Sequence, residues 1–307
     1  MKRITKIAFC PSLNGFGHIR RLLSIAVALK KIGFAVSFIV PDYLTDYQLQ
    51  IIREKNIEVL IINSNSLPNN YCDGPYAFKI TNSNLDNTQK LKILKEFDVV
   101  IADSITWPAL TSSKNILIAQ FIWEKYNEKT NHKNIENLVK NFSVIFGMKY
   151  FTWSEISKLN KFVEIPPLDY WNFRNRNVLL KESLIGIASN GVENNRTTLN
   201  KLKKNMLQIN GIPEFIDKNG FLPKTIVARA GLGNVLEALA LKCDLICLKE
   251  NETLDVSRNR ETLVLRNFAS EIPNLGSISE DIIRKKSYEY FDMISSEQFA
   301  HELELNF

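Results

Sequence analysis

The sequence predicts an α/β protein of two doubly wound halves, and three observations predict it. Short, almost wholly apolar runs recur along the chain, among them Phe34-Ala35-Val36-Ser37-Phe38-Ile39-Val40. Strands of this kind are buried on both faces, as in a parallel sheet covered by helices. Apolar residues at helical spacing fill the intervals, as Ile19, Leu22, Leu23, Ala26, Val27 and Leu29 do before the stop at Gly33. The alternation falters over the polar, arginine-bearing stretch from Leu168 to Lys181 and restarts at Ser183. The chain of 307 residues is long for one core and comfortable for two. The expected boundaries are an N-terminal domain over 1–168, a connection over 169–181 and a C-terminal domain over 182–307.

The elements follow in order. Lys6-Ile7-Ala8-Phe9-Cys10 is a strand, Leu13 to Gly17 a glycine-bearing turn, and the helix from Ile19 to Lys30 crosses over to the strand at Phe34. That makes a βαβ unit. Glu58 to Ile62 is a third strand, and the Asn-, Ser- and Pro-rich stretch 65–84 reads as a loop at one end of the sheet. A helix near Asn87–Glu96 precedes the strand Asp98–Asp103, and strands at Ile116–Ala119, Val144–Phe146 and Phe162–Ile165 close the half before Pro166-Pro167. The second half reads as a strand at Ser183–Ala188, a helix near Arg196–Lys204 and a strand at Thr225–Ala228. A helix at Asn234–Leu241 and a strand at Asp244–Leu248 follow, and a last helix near Glu280–Glu302 is expected to cross back. A ligand is expected in a cleft facing the carboxyl ends of the strands.

Composition narrows the chemistry. Hydrophobic residues are 45% and charged residues 23% of the chain, and no run of ~18 apolar residues could span a bilayer. The basic start Met1 to Lys6 fits an N-terminal strand better than an export signal. Cys10, Cys72, Cys243 and Cys247 show no metal-ligand spacing, and Cys10, Cys243 and Cys247, inside apolar runs, are expected as buried free thiols in a reducing cytoplasm. With three histidines, His18, His132 and His301, a histidine-rich metal site is not expected. The net charge of +6 is spread along the chain and favours anionic partners, but no nucleic-acid-binding motif accompanies it.

Two constellations can carry chemistry. Asn14-Gly15-Phe16-Gly17-His18-Ile19-Arg20-Arg21 turns from strand to helix, with Gly15, Gly17 and Arg21 placed to meet a ligand. A helix N-terminus offers unpaired N–H donors to a phosphate or a developing oxyanion. Imidazole titrates near neutrality, so His18 in that first turn is a candidate general base, or else a side chain that only bonds the turn. The second constellation, Arg229-Ala230-Gly231-Leu232-Gly233-Asn234-Val235-Leu236-Glu237-Ala238, repeats the strand–glycine–helix pattern. Gly231 and the amides of Gly233, Asn234 and Val235 could cradle a diphosphate, with Arg229 adding charge. Glu237, one turn in, could accept two vicinal ribose hydroxyls or could be a solvated helix residue. Asp103 ends a strand on the same side as His18 and could orient it, bind an acceptor or cap a loop. Trp107, Trp123 and Tyr126 are candidates for an acceptor surface or for core packing.

The segment Gly15 to Arg21, followed by Leu22 to Leu29, Gly33 and Val36, resembles the opening of GT-B glycosyltransferases related to the lipid II N-acetylglucosaminyltransferase, the MurG-like group. Arg229 to Ala240 resembles that group's nucleotide-sugar signature, and Phe121-Ile122-Trp123-Glu124-Lys125-Tyr126 is similar to a segment of a MurG-like subgroup. The resemblance implies two Rossmann-like domains and metal-independent, inverting transfer from a nucleoside diphosphate-sugar, with UDP the expected nucleotide. The acceptor would be a glycan or a lipid-linked molecule, met from the cytoplasm with peripheral contact to an anionic membrane. It further implies that Gly231 to Val235 hold the diphosphate and Glu237 the ribose, while His18 takes the acceptor proton or sits near the sugar phosphates. Ser189-Asn190-Gly191 match a family loop near the phosphates, and Asn259 matches a family asparagine. No DxD occurs in the chain. The sequence departs from the group between Met206 and Thr225, where one βα unit is expected to be reduced, and at Glu250-Asn251-Glu252-Thr253, which replaces a Gln/Asp-rich segment. The opening turn is also similar to that of a nucleotide-sugar hydrolase of pseudaminic acid synthesis, in which the histidine would activate water. A non-catalytic nucleotide-sugar-binding subunit is the third expectation.

Overall fold

A computed structural model describes residues 4–12, 16–42, 46–62, 87–109, 113–122, 132–173, 176–188, 205–209, 211–249, 253–278 and 292–307. The chain forms two compact units, one of Met1–Pro166 with Ser296–Phe307, the other of Pro167–Ser295.

In unit 1, β1 (Lys6–Cys10), β2 (Ala35–Pro41), β3 (Glu58–Ile62), β4 (Val99–Asp103), β5 (Lys114–Ile118), β6 (Val144–Met148) and β7 (Phe162–Ile165) form one sheet in the order β3-β2-β1-β4-β5-β6-β7. Each described pairing is parallel. All five residues of β4 and of β6 are buried, as are six of the seven in β2, because helices cover both faces. Helix α1 (Phe16–Lys31) carries the chain from β1 to β2. It ends as expected near Gly33, whose φ of +101° lies in the left-handed region where a side chain would be strained. The Gly33 and Phe34 N–H groups return to the Lys30 and Leu29 carbonyls and close the helix end. From β1 the chain builds β2 and β3 on one side and then moves to β4 on the other. The carboxyl ends of β1 and β4 therefore flank the topological switch point, where open α/β sheets bind ligands.

Helices α2 (Asp46–Arg53), α3 (Asn87–Leu94), α4 (His132–Val139) and α5 (Ser154–Ser157) lie between the strands in sequence. Gly147 in β6 marks a tight approach: a Cβ there would stand 2.5 Å from both Thr152 Oγ1 and Phe162 Cε2.

Unit 2 holds β9 (Leu179–Ala188), β10 (Met206–Ile209), β11 (Phe221–Ala228), β12 (Asp244–Leu248) and β13 (Ser270–Ile272) in a parallel sheet of order β10-β9-β11-β12-β13. Its switch point lies between β9 and β11. Helices α6 (Ile212–Asn219), α7 (Leu232–Ala240) and α8 (Leu254–Leu265) connect the strands. A two-residue strand β8 (Leu168–Asp169) pairs with β14 (Ile294–Ser295). The final helix α9 (Ser296–Glu304) packs within unit 1, where Ser296 Oγ donates to Ser24 Oγ at 2.8 Å and Phe299 meets Phe146 edge-on with centroids 5.2 Å apart.

Several sequence expectations change. Leu179 to Lys181, assigned to the connection, belong to β9, and Leu168-Asp169 are buried in a strand pair. The segment 206–224 is not reduced: it carries β10, α6 and the first half of β11. Helix α8 escaped detection because Asn259 and Arg260 are buried beside Val256 and Leu263 and interrupt its apolar period. The stretch 65–84 and the helix expected near 196–204 lie outside the described residues, as does Cys72. Cys10, Cys243 and Cys247 are buried thiols outside any disulfide. Burial pushes the Cys243 thiol up to about 12, against the lowering influence of Lys224. Among the described residues no helix is long and apolar enough to cross a membrane.

The Gly147 contact is testable. Gly147→Ala should cost about 1–3 kcal/mol through overpacking, read as a lower urea midpoint with an unchanged slope.

Candidate active site

Helix α1 begins at the carboxyl end of β1, so His18 falls in its first turn and Arg21, three residues on, shares its face. Asp103 is the last residue of β4, and β4 is paired with β1 in the register Cys10↔Ala102. The fold thus brings Asp103 to two side chains that precede it by more than eighty residues in sequence.

Asp103 is wholly buried, and each of its oxygens is engaged. Oδ2 accepts from Arg21 Nε at 2.8 Å. Oδ1 accepts from Ser104 Oγ at 3.0 Å, lies 3.0 Å from His18 Nδ1, and accepts from Arg21 Nη2. Arg21 therefore grips the carboxylate with two donors in the fork geometry that a guanidinium provides. Burial raises the Asp103 pKa, but the charge of Arg21, then that of His18, together with their hydrogen bonds, outweighs it. The carboxyl is held down from 3.8 to about 2.

An ionised Asp103 is an acceptor only, so it selects the His18 tautomer that carries its proton on Nδ1. Arg21 Nη2 also lies 3.0 Å from Nδ1. Two donors cannot bond each other, and that approach is a consequence of their sharing Oδ1. With the proton on Nδ1, the basic lone pair belongs to Nε2. The side chain of His18 retains 12% exposure against 3% for Arg21 and none for Asp103. His18 is therefore the most exposed member of the trio. Ser104 pays for this corner with a left-handed φ of 57°, a strained conformation for a residue with a side chain.

In unit 2, Gly231 is the N-cap of α7 with φ −64° and ψ 129°, and it supplies no side-chain cap. Its backbone does not require glycine, and a Cβ there would meet no atom within 4 Å. What glycine preserves is open space before the helix N-terminus. The first intrahelical bond runs from Val235 N to Gly231 O at 3.2 Å. Val235 N–H is therefore committed to the helix and its side chain is core, which removes it from the expected cradle. The N-terminal donors are those of Leu232, Gly233 and Asn234. Asn259 Nδ2 donates to Ala230 O at 3.0 Å, so this asparagine pins the Arg229–Gly231 loop from helix α8.

Glu237 is 2% exposed, which rules out the solvated reading, and its Oε1 accepts from Trp171 Nε1 at 3.2 Å. Trp171 was hidden in the stretch read as a connection. Trp107 is 1% exposed within the core of unit 1 and presents no acceptor surface. Gly17 is half-buried beside His18, while Gly15, Trp123, Tyr126, Ser189, Asn190 and Gly191 lie outside the described residues.

No protein-family model matches the chain, and no curated protein sequence does. Solved structures do. The glycosyltransferase VinC in complex with dTDP is similar with TM-score 0.60 at 11% identity, over 98% of this chain and 99% of that one. The spinosyn forosaminyltransferase SpnP gives TM-score 0.59 at 11% identity, over 99% of each chain. MurG of Acinetobacter baumannii gives 0.57 at 14% identity, over 92% of this chain and 89% of that one. The likeness is one of fold: two Rossmann-like parallel α/β units, the GT-B class.

Asp103 makes stability depend on acid. Its folded pKa lies below its unfolded value, so its contribution is complete above pH ~4 and is lost as pH falls towards 2. Asp103→Asn should be destabilised by about 3 kcal/mol at pH 6, and the gap to wild type should shrink by about 2 kcal/mol between pH 5 and pH 2. Urea unfolding of both proteins across that range checks it.

Proposed function

We propose that the protein is a glycosyltransferase that takes a sugar from a nucleoside diphosphate-sugar and passes it, with inversion and without a metal, to an acceptor hydroxyl. The observation that carries the reading is the orientation of His18. A saturated, ionised Asp103 holds the imidazole by Nδ1 at the switch point of the sheet, which leaves Nε2 as the base. The fold it shares with solved glycosyltransferases supports the same reading.

In the proposed reaction, His18 Nε2 takes the acceptor's hydroxyl proton as that oxygen attacks the anomeric carbon. The bond from that carbon to the phosphate oxygen breaks, and the nucleoside diphosphate leaves with the electron pair. The imidazolium then faces Asp103, whose charge stabilises it through the existing hydrogen bond. The N-terminal amides of α7, with Arg229 beside them, are the groups suited to the diphosphate charge. UDP is the proposed nucleotide, Glu237 the proposed ribose partner, and a glycan or lipid-linked molecule the proposed acceptor, reached from the cytoplasm at an anionic membrane. The MurG-like group remains the proposed relationship.

A thermal-shift panel of UDP-, GDP-, dTDP- and CMP-sugars should single out one nucleotide, since a ligand stabilises in proportion to its occupancy. With that donor, His18→Ala should lower kcat by about 10²–10⁴-fold and leave nucleotide affinity within about twofold. Undiminished turnover would remove His18 as the base, and release of free sugar at the full rate without acceptor would make water the nucleophile. Gly231→Val should leave the unfolding midpoint near wild type and weaken binding of the nucleoside diphosphate by about tenfold or more, because the new side chain fills the space the phosphates need. Titration calorimetry reads that loss directly.

A further inference from the structure

The chain after Pro167 is wound into a built turn. Leu168 and Asp169 are buried and pair with Ile294 and Ser295. The Asp169 carboxylate accepts the Phe173 N–H at 2.9 Å, and Asn172 N–H returns to Asp169 O at 3.4 Å. Asn172 adopts a left-handed φ of 53°, which asparagine tolerates better than most residues. Phe173 is buried and anchors the far side of the turn. At its bend stands Trp171, half-buried, with its indole N–H directed to Glu237 Oε1.

Indole nitrogen is a donor only, and carboxylate an acceptor only, so the sense of this bond is fixed. Glu237 leaves helix α7 one turn beyond the candidate phosphate-binding amides. A glutamate carboxylate turns freely about its last bond unless something holds one oxygen. Recognition of vicinal hydroxyls needs that rotation stopped, because both acceptors must face the ligand together.

We propose that Trp171 is a positioning residue for nucleotide selection. Its indole N–H fixes the Glu237 carboxylate so that the remaining acceptor capacity is turned to the ribose hydroxyls of a nucleoside diphosphate seated at the N-terminus of α7. This rests on the donor-site reading above. Trp171 thereby sets the preference for ribose over a sugar lacking its hydroxyls, and does so without touching the phosphates.

Calorimetric titration of wild type and Trp171→Phe with UDP and GDP, each paired with its 2′,3′-dideoxy counterpart, tests the proposal. Wild type should prefer the ribonucleotide by about tenfold or more, as a charge-assisted hydrogen bond allows. In Trp171→Phe that preference should fall to within about threefold, while affinity for the dideoxy ligand stays unchanged. Should the phenylalanine variant not fold, benzothienylalanine at position 171 keeps the ring volume and deletes only the donor. A retained preference, or an equal loss of affinity for both ligands, would overturn the role of Trp171. Wild type that binds the nucleotides without preferring the hydroxyls would overturn it too, with the diphosphate site intact. Wild type that binds none of the four, nor dTDP, would overturn the donor-site reading and this inference with it, and binding of dTDP alone would overturn only this inference.

Discussion

Burying a carboxylate without water is costly unless charge and hydrogen bonds neutralise it, and the groups that neutralise Asp103 determine how unit 1 is put together at its working end. Arg21 must reach β4 from α1 with both arms of its guanidinium, which fixes the rotation of the helix about its own axis. Once that rotation is set, His18 on the same face is turned towards β4, and its Nδ1 meets Oδ1. The pairing of β1 with β4 supplies the other half of the constraint, since it sets the two strand ends side by side. Helix setting and tautomer follow from one saturated acceptor placed by that pairing.

Unit 2 solves a related problem with different means. Its candidate anion site uses backbone donors, which carry no titratable charge and need only a helix N-terminus and an uncluttered approach. The loop leading to it is held from behind by Asn259, and Glu237 is held from the side by Trp171. Both supports are neutral donors on buried acceptors. A site made of amides has little rotational freedom to lose, so the support it needs goes to the one side chain that could turn.

The sequence made the βαβ opening readable because its strands are apolar throughout and its helix keeps a clean period before Gly33. The same is true of Arg229 to Glu237, where glycine interrupts a strand-to-helix passage. What stayed hidden depends on distance or on buried polarity. The grip of Arg21 on Asp103 joins residues 82 apart in sequence, and no local pattern announces it. Trp171 sits in a polar, aromatic stretch without period, where the ordering comes from an Asp169 side chain bonding the backbone rather than from apolar spacing. Trp107 shows the converse: an aromatic placed just beyond a functional strand end looks available in sequence, yet the core of unit 1 consumes it. At Val235 the outcome turns on a single residue, because the exact helix start decides which amide is the first to bond inward.

The sharing of Oδ1 separates this arrangement from a simple histidine–carboxylate pair. In such a pair the whole carboxylate charge is available to the imidazole, and orientation and electrostatic pull come together. Here the guanidinium takes both oxygens of Asp103 and neutralises much of that charge before His18 makes its bond. Direction is preserved, because the Nδ1–Oδ1 contact needs only a lone pair. Arg21 and His18 therefore share one carboxylate in different ways: the guanidinium is gripped by both oxygens, and the imidazole is oriented by one.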